Sequence, residues 1–478
     1  MPYKDHREFF KALEKEGDLL KISKQVDWDI EAGAIGRRNY EQYGPCLLFE
    51  NIKDYPKGYR ISNGTSGTWP RVAMALGLPR EASVREIYHT YDEKLGSKIP
   101  PTVVDRRAAP CKQNIMMGDD INLNKFPAPM IHEGDGGRYI GTWDIIICKD
   151  PVTNWTNWGM YRFMIHNKNW LTGWPQTTSQ FAKIFKERYL PENKPMPVAI
   201  VLGADPVSHL IATAPIPLQE NEAEFSGGLG GASVELVKCE TSDLMVPANA
   251  EIVIEAEMQP DKVAPDGPFG EYPGFRSGTM CEGIAVKVTA ITHRNDPILT
   301  MIALGTPPDD SNIAASLTAA VSMKKGLLRR GLPVTDVFVP PEGVTHLIVI
   351  GVEEGGPEIA KKVLEYFCAR RVMTNKHIMV GPDVDVFNMN EVLHAFATVC
   401  HPGRGIHYEW YEGRANSLTP MYNLKERAAL KGCSVIFDAT WPPDWNKELV
   451  PIKSCFKGIY GQQIQQKVID NWKNYGFK

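Results

Sequence analysis

Between Thr142 and Ala303 the chain breaks into short β-rich segments bounded by turn residues: Thr142–Lys149, Trp158–His166, Val198–Leu202, Ala250–Met258, Gly283–Thr292 and Ile298–Ala303. Asp150-Pro-Val-Thr-Asn154 makes a turn between the first two, and Ser179–Arg188 reads as a single helix. A series of short strands with one helical interruption argues for an antiparallel sheet closing towards a barrel.

The flanks follow other rules. Residues 5–16 set apolar side chains at helical spacing before a stop at Gly17, Cys46–Phe49 and Tyr59–Ile61 read as strands, and Ser83–Tyr91 as a second helix. A small mixed α/β unit is therefore expected over about 1–110, ending where Pro100, Pro101 and Pro110 crowd an aperiodic connector. After Asn312 the pattern is helical to about Gly331, then a strand at His346–Val352, a helix at Pro357–Arg371, a strand at Lys376–Val380 and a helix at Asn390–Thr398. That alternation predicts a parallel α/β sheet. The expected class is α+β with domains at 1–114, 115–315 and 316–478, and Gln462–Tyr475 is expected to form an amphipathic helix docked on a neighbouring subunit.

Composition narrows the function classes. Fifty-three Lys+Arg against 57 Asp+Glu give a net charge of −4 with no polybasic block, which removes the electrostatic basis for nucleic-acid or anionic-membrane binding. No run approaches the roughly 18 apolar residues of a membrane span. The nine cysteines are scattered without a Cys-x-x-Cys pair and read as buried, reduced thiols. The first twenty residues lack a signal-peptide core. The expectation is a cytoplasmic protein whose partners are small molecules or copies of itself.

Five strings carry candidate chemistry. In Asp266-Gly-Pro-Phe-Gly-Glu271 the glycines and proline forbid a regular helix or central strand, so two carboxylates flank a tight loop whose ends can converge. Paired acids raise one another's affinity for a proton, which suits acid catalysis; from the string alone the simpler reading is a solvated turn with surface acids. In Asn157-Trp-Gly-Met-Tyr-Arg162, strand alternation puts Arg162 opposite Asn157 unless a bulge at Gly159 re-aims one of them. An inward Arg162 must pair, with Glu271 or with a substrate carboxylate as the partner. Gly227-Gly-Leu-Gly-Gly231 precedes the strand-like Val234–Lys238, so it fits no dinucleotide fingerprint and reads as a backbone turn. Gly355-Gly-Pro357 opens a helix with the wrong spacing for a nucleotide. In Asp383-Val-Asp-Val-Phe-Asn-Met-Asn390, helix capping by Asn390 is sufficient explanation.

Taken in order, His132-Glu-Gly-Asp-Gly-Gly-Arg-Tyr139, Asn157–Arg162, Asn221-Glu222, Glu235–Lys238, Asp266–Glu271 and Asp383-Val-Asp385 resemble the UbiD-like decarboxylases over most of the chain. The resemblance implies an amino-terminal α/β domain, a central split β-barrel like that of flavin reductases, and a carboxy-terminal α/β domain that helps form homodimers or homohexamers. It implies prenylated FMN, supplied by a flavin prenyltransferase and held through a divalent metal, manganese or magnesium or iron, with potassium nearby. The implied activity is reversible, non-oxidative decarboxylation of an aromatic, heteroaromatic or α,β-unsaturated acid, an aryl-CoA thioester among the open substrates. An FMN-binding oxidoreductase on the same barrel and a catalytically silent assembly subunit are the alternatives. Expelling carbon dioxide from a trigonal carbon leaves an electron pair that no side chain absorbs, which is why such a cofactor is needed.

By the same resemblance the catalytic set falls on Glu271, Arg162 and Asp266, with Glu271 as proton donor. Aspartate stands at 266 where the family has glutamate, so direct contact with Arg162 is expected to be lost or water-mediated. The metal ligands fall on Asn157, Gln180 and Glu222, and the cofactor contacts on Arg162, Gln180, Glu222 and Lys376, the last against its phosphate. Gln180 replaces a histidine common in relatives and offers an oxygen to a hard cation; an alignment slip to Gln176 is the alternative. Trp143, Trp155, Trp158, Trp170 and Trp174 would suit a flat substrate, and core packing explains them equally well.

Overall fold

The computed structural model describes residues 2–173, 179–276, 280–370, 373–415 and 418–477, so Trp174 and Gln176 lie outside the described residues. The described residues build a mixed α/β fold around four sheets. Near the amino terminus, helix His6–Lys15 is capped by Asp5, which accepts from Glu8 N, and it buries Phe9, Phe10 and Leu13. Gly17, at φ +68, ends it as expected. Helix Val84–Lys94 starts on a capping box of Ser83 and Glu86.

The first sheet orders Leu19–Ile22, Cys46–Phe49, Arg60–Asn63 and Ile298–Met301. The last strand corrects the sequence reading, which gave it to the barrel: it pairs in parallel with Arg60–Asn63, and Arg60 N donates to Pro297 O. A short apolar strand carries no label for the sheet it joins; long-range pairing decides.

The central sheet has nine strands, and all of its pairings are antiparallel. Eight run in the order Tyr139–Gly141, Phe163–Asn167, Trp170–Gly173, Cys281–His293, Ile252–Asp266, Met196–Leu202, Asp144–Lys149 and Thr156–Gly159; Asn114–Met117 adds to Cys281–His293. Thr156–Gly159 closes one end of this order and Phe163–Asn167 stands next to the other end, yet only residues 160–162 connect them. Four peptide steps reach at most about 14 Å, so the sheet curls into a half-barrel until its ends approach. Alternation fills both faces: Ile146, Val198 and Ile200 join one apolar cluster, and Ile145, Ile147, Ala199 and Val201 another.

The carboxy-terminal sheet orders Val334–Phe338, Leu347–Val352, Lys376–Val380, Gly432–Ala439 and Ile406–Tyr411. Its three inner strands are parallel as expected, but both edge strands are antiparallel. Three further details differ from the sequence reading. Helix Met389–Thr398 is capped by Asn388, whose side chain accepts from Asn390 N. The glycine run is the second half of helix Glu222–Gly230, ending at Gly231 with φ +71. It is helical because its backbone packs on residues 97–99: a Cβ on Gly228 would lie 1.9 Å from Ser97 O, and one on Gly227 2.5 Å from Ile99 O. All nine cysteines are free, but Cys281, Cys400 and Cys433 are only half-buried and Cys455 is exposed. Helix Gln462–Asp470 forms and leaves Ile464 and Ile469 exposed. No described helix is long and apolar enough to cross a membrane.

Candidate active site

The strand Thr156–Gly159 stops at Gly159, and Phe163 begins the next, so Met160–Arg162 follows neither strand's alternation. A Cβ at Gly159 would lie 2.7 Å from the Tyr161 ring, which folds back over it. This break, rather than a bulge within one long strand, frees Arg162 from the face opposite Asn157. Two polar clusters result, one at each end of the hexapeptide 157–162.

At the Arg162 end, the guanidinium holds both acids of the glycine-rich loop. Arg162 Nη2 and Nε donate to Asp266 Oδ2 at 2.6 and 3.1 Å, and Nη1 contacts Glu271 Oε1. Asp266 is fully buried and Glu271 7% exposed, so the acids are not surface residues of a solvated turn. The shorter aspartate reaches Arg162 directly, contrary to expectation, because it ends the long strand Ile252–Asp266 and the backbone delivers it. Tyr139 OH donates to Asp266 Oδ1 at 3.2 Å and accepts from Gly267 N at 3.0 Å. Burial, with the Asp266 carboxylate beside it, pushes the Tyr139 phenol well above its ordinary range, so it serves as a fixed donor. Phe269 lies under the guanidinium, 5.4 Å from its carbon to the ring centroid.

The acids differ in what they face. A cavity of about 320 Å³ is lined by Arg162 and Glu271 together with Tyr161, Phe269, Tyr272 and Asn312, among others, and Asp266 is not on its wall. Glu271 stands in front and Asp266 behind. Trp143, Trp155 and Trp158 are buried in the core and Trp170 packs beside Lys262; none lines this cavity, whose aromatic wall comes from Tyr161, Phe269 and Tyr272. Sequence reasoning missed Asn312. Its signal is the cap before it: Asp309 accepts from Asn312 N at 2.9 Å, opening helix Asp310–Leu328 beside the cavity.

At the other end, Asn157 Nδ2 donates to Gln180 Oε1 at 3.0 Å and to Glu222 Oε1 at 3.2 Å. Trp158 N donates to Glu222 Oε2 at 3.0 Å, and Gln180 Nε2 donates to Ile216 O at 2.8 Å. Asn157 Oδ1 is buried with no hydrogen-bond partner among the described residues. Glu222 is 1% exposed, and burial pushes its carboxyl up to about 8. No group of three or more His, Cys, Asp or Glu suited to a metal occurs among the described residues. One carboxylate and two amide oxygens, one of them orphaned, nevertheless fit a hard cation, which would ionise Glu222 and satisfy Asn157.

Lys376 makes no hydrogen bond to either cluster among the described residues. It is half-buried rather than a surface lysine, and its Nζ donates to Asn375 Oδ1 at 3.1 Å. Asp385 accepts from Phe387 N and Arg85 and so has a structural task; Asp383 accepts through its backbone from Lys453.

Three family models match consecutive stretches: the N-terminal, Rift-related and C-terminal domains of 3-octaprenyl-4-hydroxybenzoate carboxy-lyase, at residues 10–90, 102–307 and 313–439. The pyrrole-2-carboxylic acid decarboxylase of Pseudomonas aeruginosa is 30% identical over 99% of this chain and 98% of its own length. The chain belongs to the UbiD family of carboxy-lyases. Within that family, ferulic acid decarboxylase 1 of Saccharomyces cerevisiae is 30% identical over 100% of this chain and 99% of its own. The closed form of Sedimentibacter hydroxybenzoicus vanillic acid decarboxylase superposes with a TM-score of 0.87 at 29% identity, covering 98% of this chain and 99% of that one. An evolved dimeric form of the UbiD-class enzyme HmfF from Pelotomaculum thermopropionicum, in complex with prFMN, gives 0.78 at 27% identity over 94% and 97%. The UbiD assignment agrees with the resemblance read from the ordered motifs.

Proposed function

We propose that this UbiD-family protein is a reversible, non-oxidative decarboxylase of an aromatic, heteroaromatic or α,β-unsaturated carboxylic acid, dependent on prenylated FMN. One observation carries the reading: a single buried guanidinium holds two acids, of which only Glu271 reaches the cavity wall. Prenylated FMN, when bound, supplies the electron sink that the side chains lack. Asn157, Gln180 and Glu222 would hold the metal at its phosphate, manganese or magnesium by the hardness of the donors, with Lys376 as a further phosphate contact. Potassium completes the set in this reading.

The chain's own residues then do three things. Arg162 attracts the substrate carboxylate into the cavity and orients it. Asp266, with Oδ2 bonded twice by Arg162 and Oδ1 bonded by Tyr139, acts only as an acceptor and fixes the plane of the guanidinium. Glu271, within reach of both Arg162 and the cavity, delivers a proton to the carbon that loses carbon dioxide. Phe269, Tyr161 and Tyr272 present flat faces for a planar acid and keep water from the reacting carbon.

The same reading takes residues 1–114, 115–315 and 316–478 as domains, the second a split β-barrel of flavin-reductase type, in a cytoplasmic homodimer or homohexamer loaded by a flavin prenyltransferase. The test is reconstitution: purified protein incubated with prenylated FMN, manganese and potassium and assayed for carbon dioxide release over a panel of aromatic and unsaturated acids. Release restored by prenylated FMN and not by FMN supports the reading. Turnover with FMN alone, or none with either flavin bound, overturns it.

A further inference from the structure

Within the string His132–Tyr139 only Tyr139 joins a cluster, through Asp266, yet residues 132–136 pack on the loop that carries Glu271. His132 and Asp135 form a clasp. Asp135 Oδ2 accepts from His132 N at 3.0 Å and meets His132 Nδ1 at 2.9 Å, while Asp135 Oδ1 accepts from Gly270 N, the residue before Glu271, at 3.0 Å. The other ring nitrogen, Nε2, stands 2.8 Å from Leu304 O, and a carbonyl only accepts, so this nitrogen carries hydrogen. Leu304 lines the same cavity as Glu271. The clasp therefore ties the loop to a second segment of the cavity lining.

Shape closes it further. A Cβ on Gly270 would fall 2.5 Å from the His132 ring, and one on Gly136 1.9 Å from Gly267 O, so both glycines permit an approach that a side chain would block. Gly136 N donates to Pro268 O at 2.7 Å, and the His132 ring meets Phe269 edge-on with centroids 5.8 Å apart. Beyond Glu271, Arg276 Nη1 donates to Glu133 O at 3.0 Å. The two acids are thus anchored independently: Asp266 by its strand and Tyr139, Glu271 by the clasp.

We propose that His132 and Asp135 are positioning residues that hold Gly270, and through it the Glu271 carboxyl, at a fixed distance from Arg162 and the cavity. This rests on the reading of Glu271 as proton donor. Neither residue touches the reacting atoms; the pair removes the loop's freedom, so that the carboxyl need not search for its working position.

The experiment uses the full-length, flavin- and manganese-loaded protein and two variants. Asp135→Ala removes the acceptor of Gly270 N–H; His132→Phe keeps a ring against Phe269 but removes both polar contacts. Hydrogen–deuterium exchange of the peptide covering 266–276 is expected to quicken about tenfold or more in Asp135→Ala, as for loss of one protecting hydrogen bond, with the strand 252–258 unchanged. In both variants kcat is expected to fall about tenfold or more while KM stays within about threefold and flavin content is retained. Unaltered exchange at 266–276, or a loss confined to KM, overturns the proposal. Should Asp135→Ala not fold, His132→Phe decides by the same readouts. Should the parent protein release carbon dioxide from no acid, the decarboxylase reading fails, and the exchange result alone still decides whether the clasp holds the loop.

Discussion

The clusters at the two ends of residues 157–162 differ in how their charge is balanced. Around Arg162 the groups satisfy one another: a cation lies between two carboxylates, and a phenol caps the deeper one. Around Glu222, among the described residues, no side-chain cation bonds the carboxylate and an amide oxygen is left orphaned, so the buried carboxyl is driven towards its neutral form. The first is complete as folded protein; the second is a donor set short of a positive charge. In the proposed reading one serves chemistry and the other binding, and the chain carries both clusters on one short segment.

That contrast can be broken in order of expected effect. Glu271→Gln should lower kcat by about 10²–10⁴-fold, the usual contribution of a positioned acid, with flavin and metal retained; unchanged turnover removes the proton-donor role. Arg162→Met should destabilise the fold by about 3–5 kcal/mol at pH 8, because two buried carboxylates lose their shared cation, and thermal denaturation measures it. Asn157→Ala should leave metal-free stability nearly unchanged but abolish the rise in Tm that manganese gives the parent protein; equal metal content by elemental analysis in both would reject Asn157 as a ligand. The smallest effect concerns pH. Glu222 must be ionised to bind a cation and its carboxyl is raised to about 8, so manganese affinity should climb about tenfold per pH unit from 6 to 8 and then level. A flat titration would show that Glu222 stays outside the coordination.

Much of this was legible in the order of residues. The strand series, the helices at 6–15 and 84–94, and the ordered motifs led to the family, and Arg162, Asp266 and Glu271 do meet. What failed were long-range matters. Nothing local assigns Ile298–Met301 to the first sheet rather than the curled one, or makes the edges of the last sheet antiparallel. The strand-like Val234–Lys238 that follows pointed to a turn at 227–231, whereas the run completes a helix whose bare backbone packs on residues 97–99. Asp266 looked too short because side-chain length was weighed without the backbone that carries it. The clasp of His132 and Asp135 was visible only as letters in a motif, since its partners, Gly270 and Leu304, stand more than 130 residues away.

The three-residue crossing joins one margin of the curled sheet to the strand beside the other margin. In the proposed reading, spreading of the sheet would act on Asn157 and Arg162 through one short segment, so that holding a cation at one end and an acid at the other would be mechanically linked. A single inserted residue between Gly159 and Phe163 would uncouple them, like lengthening the pin of a hinge.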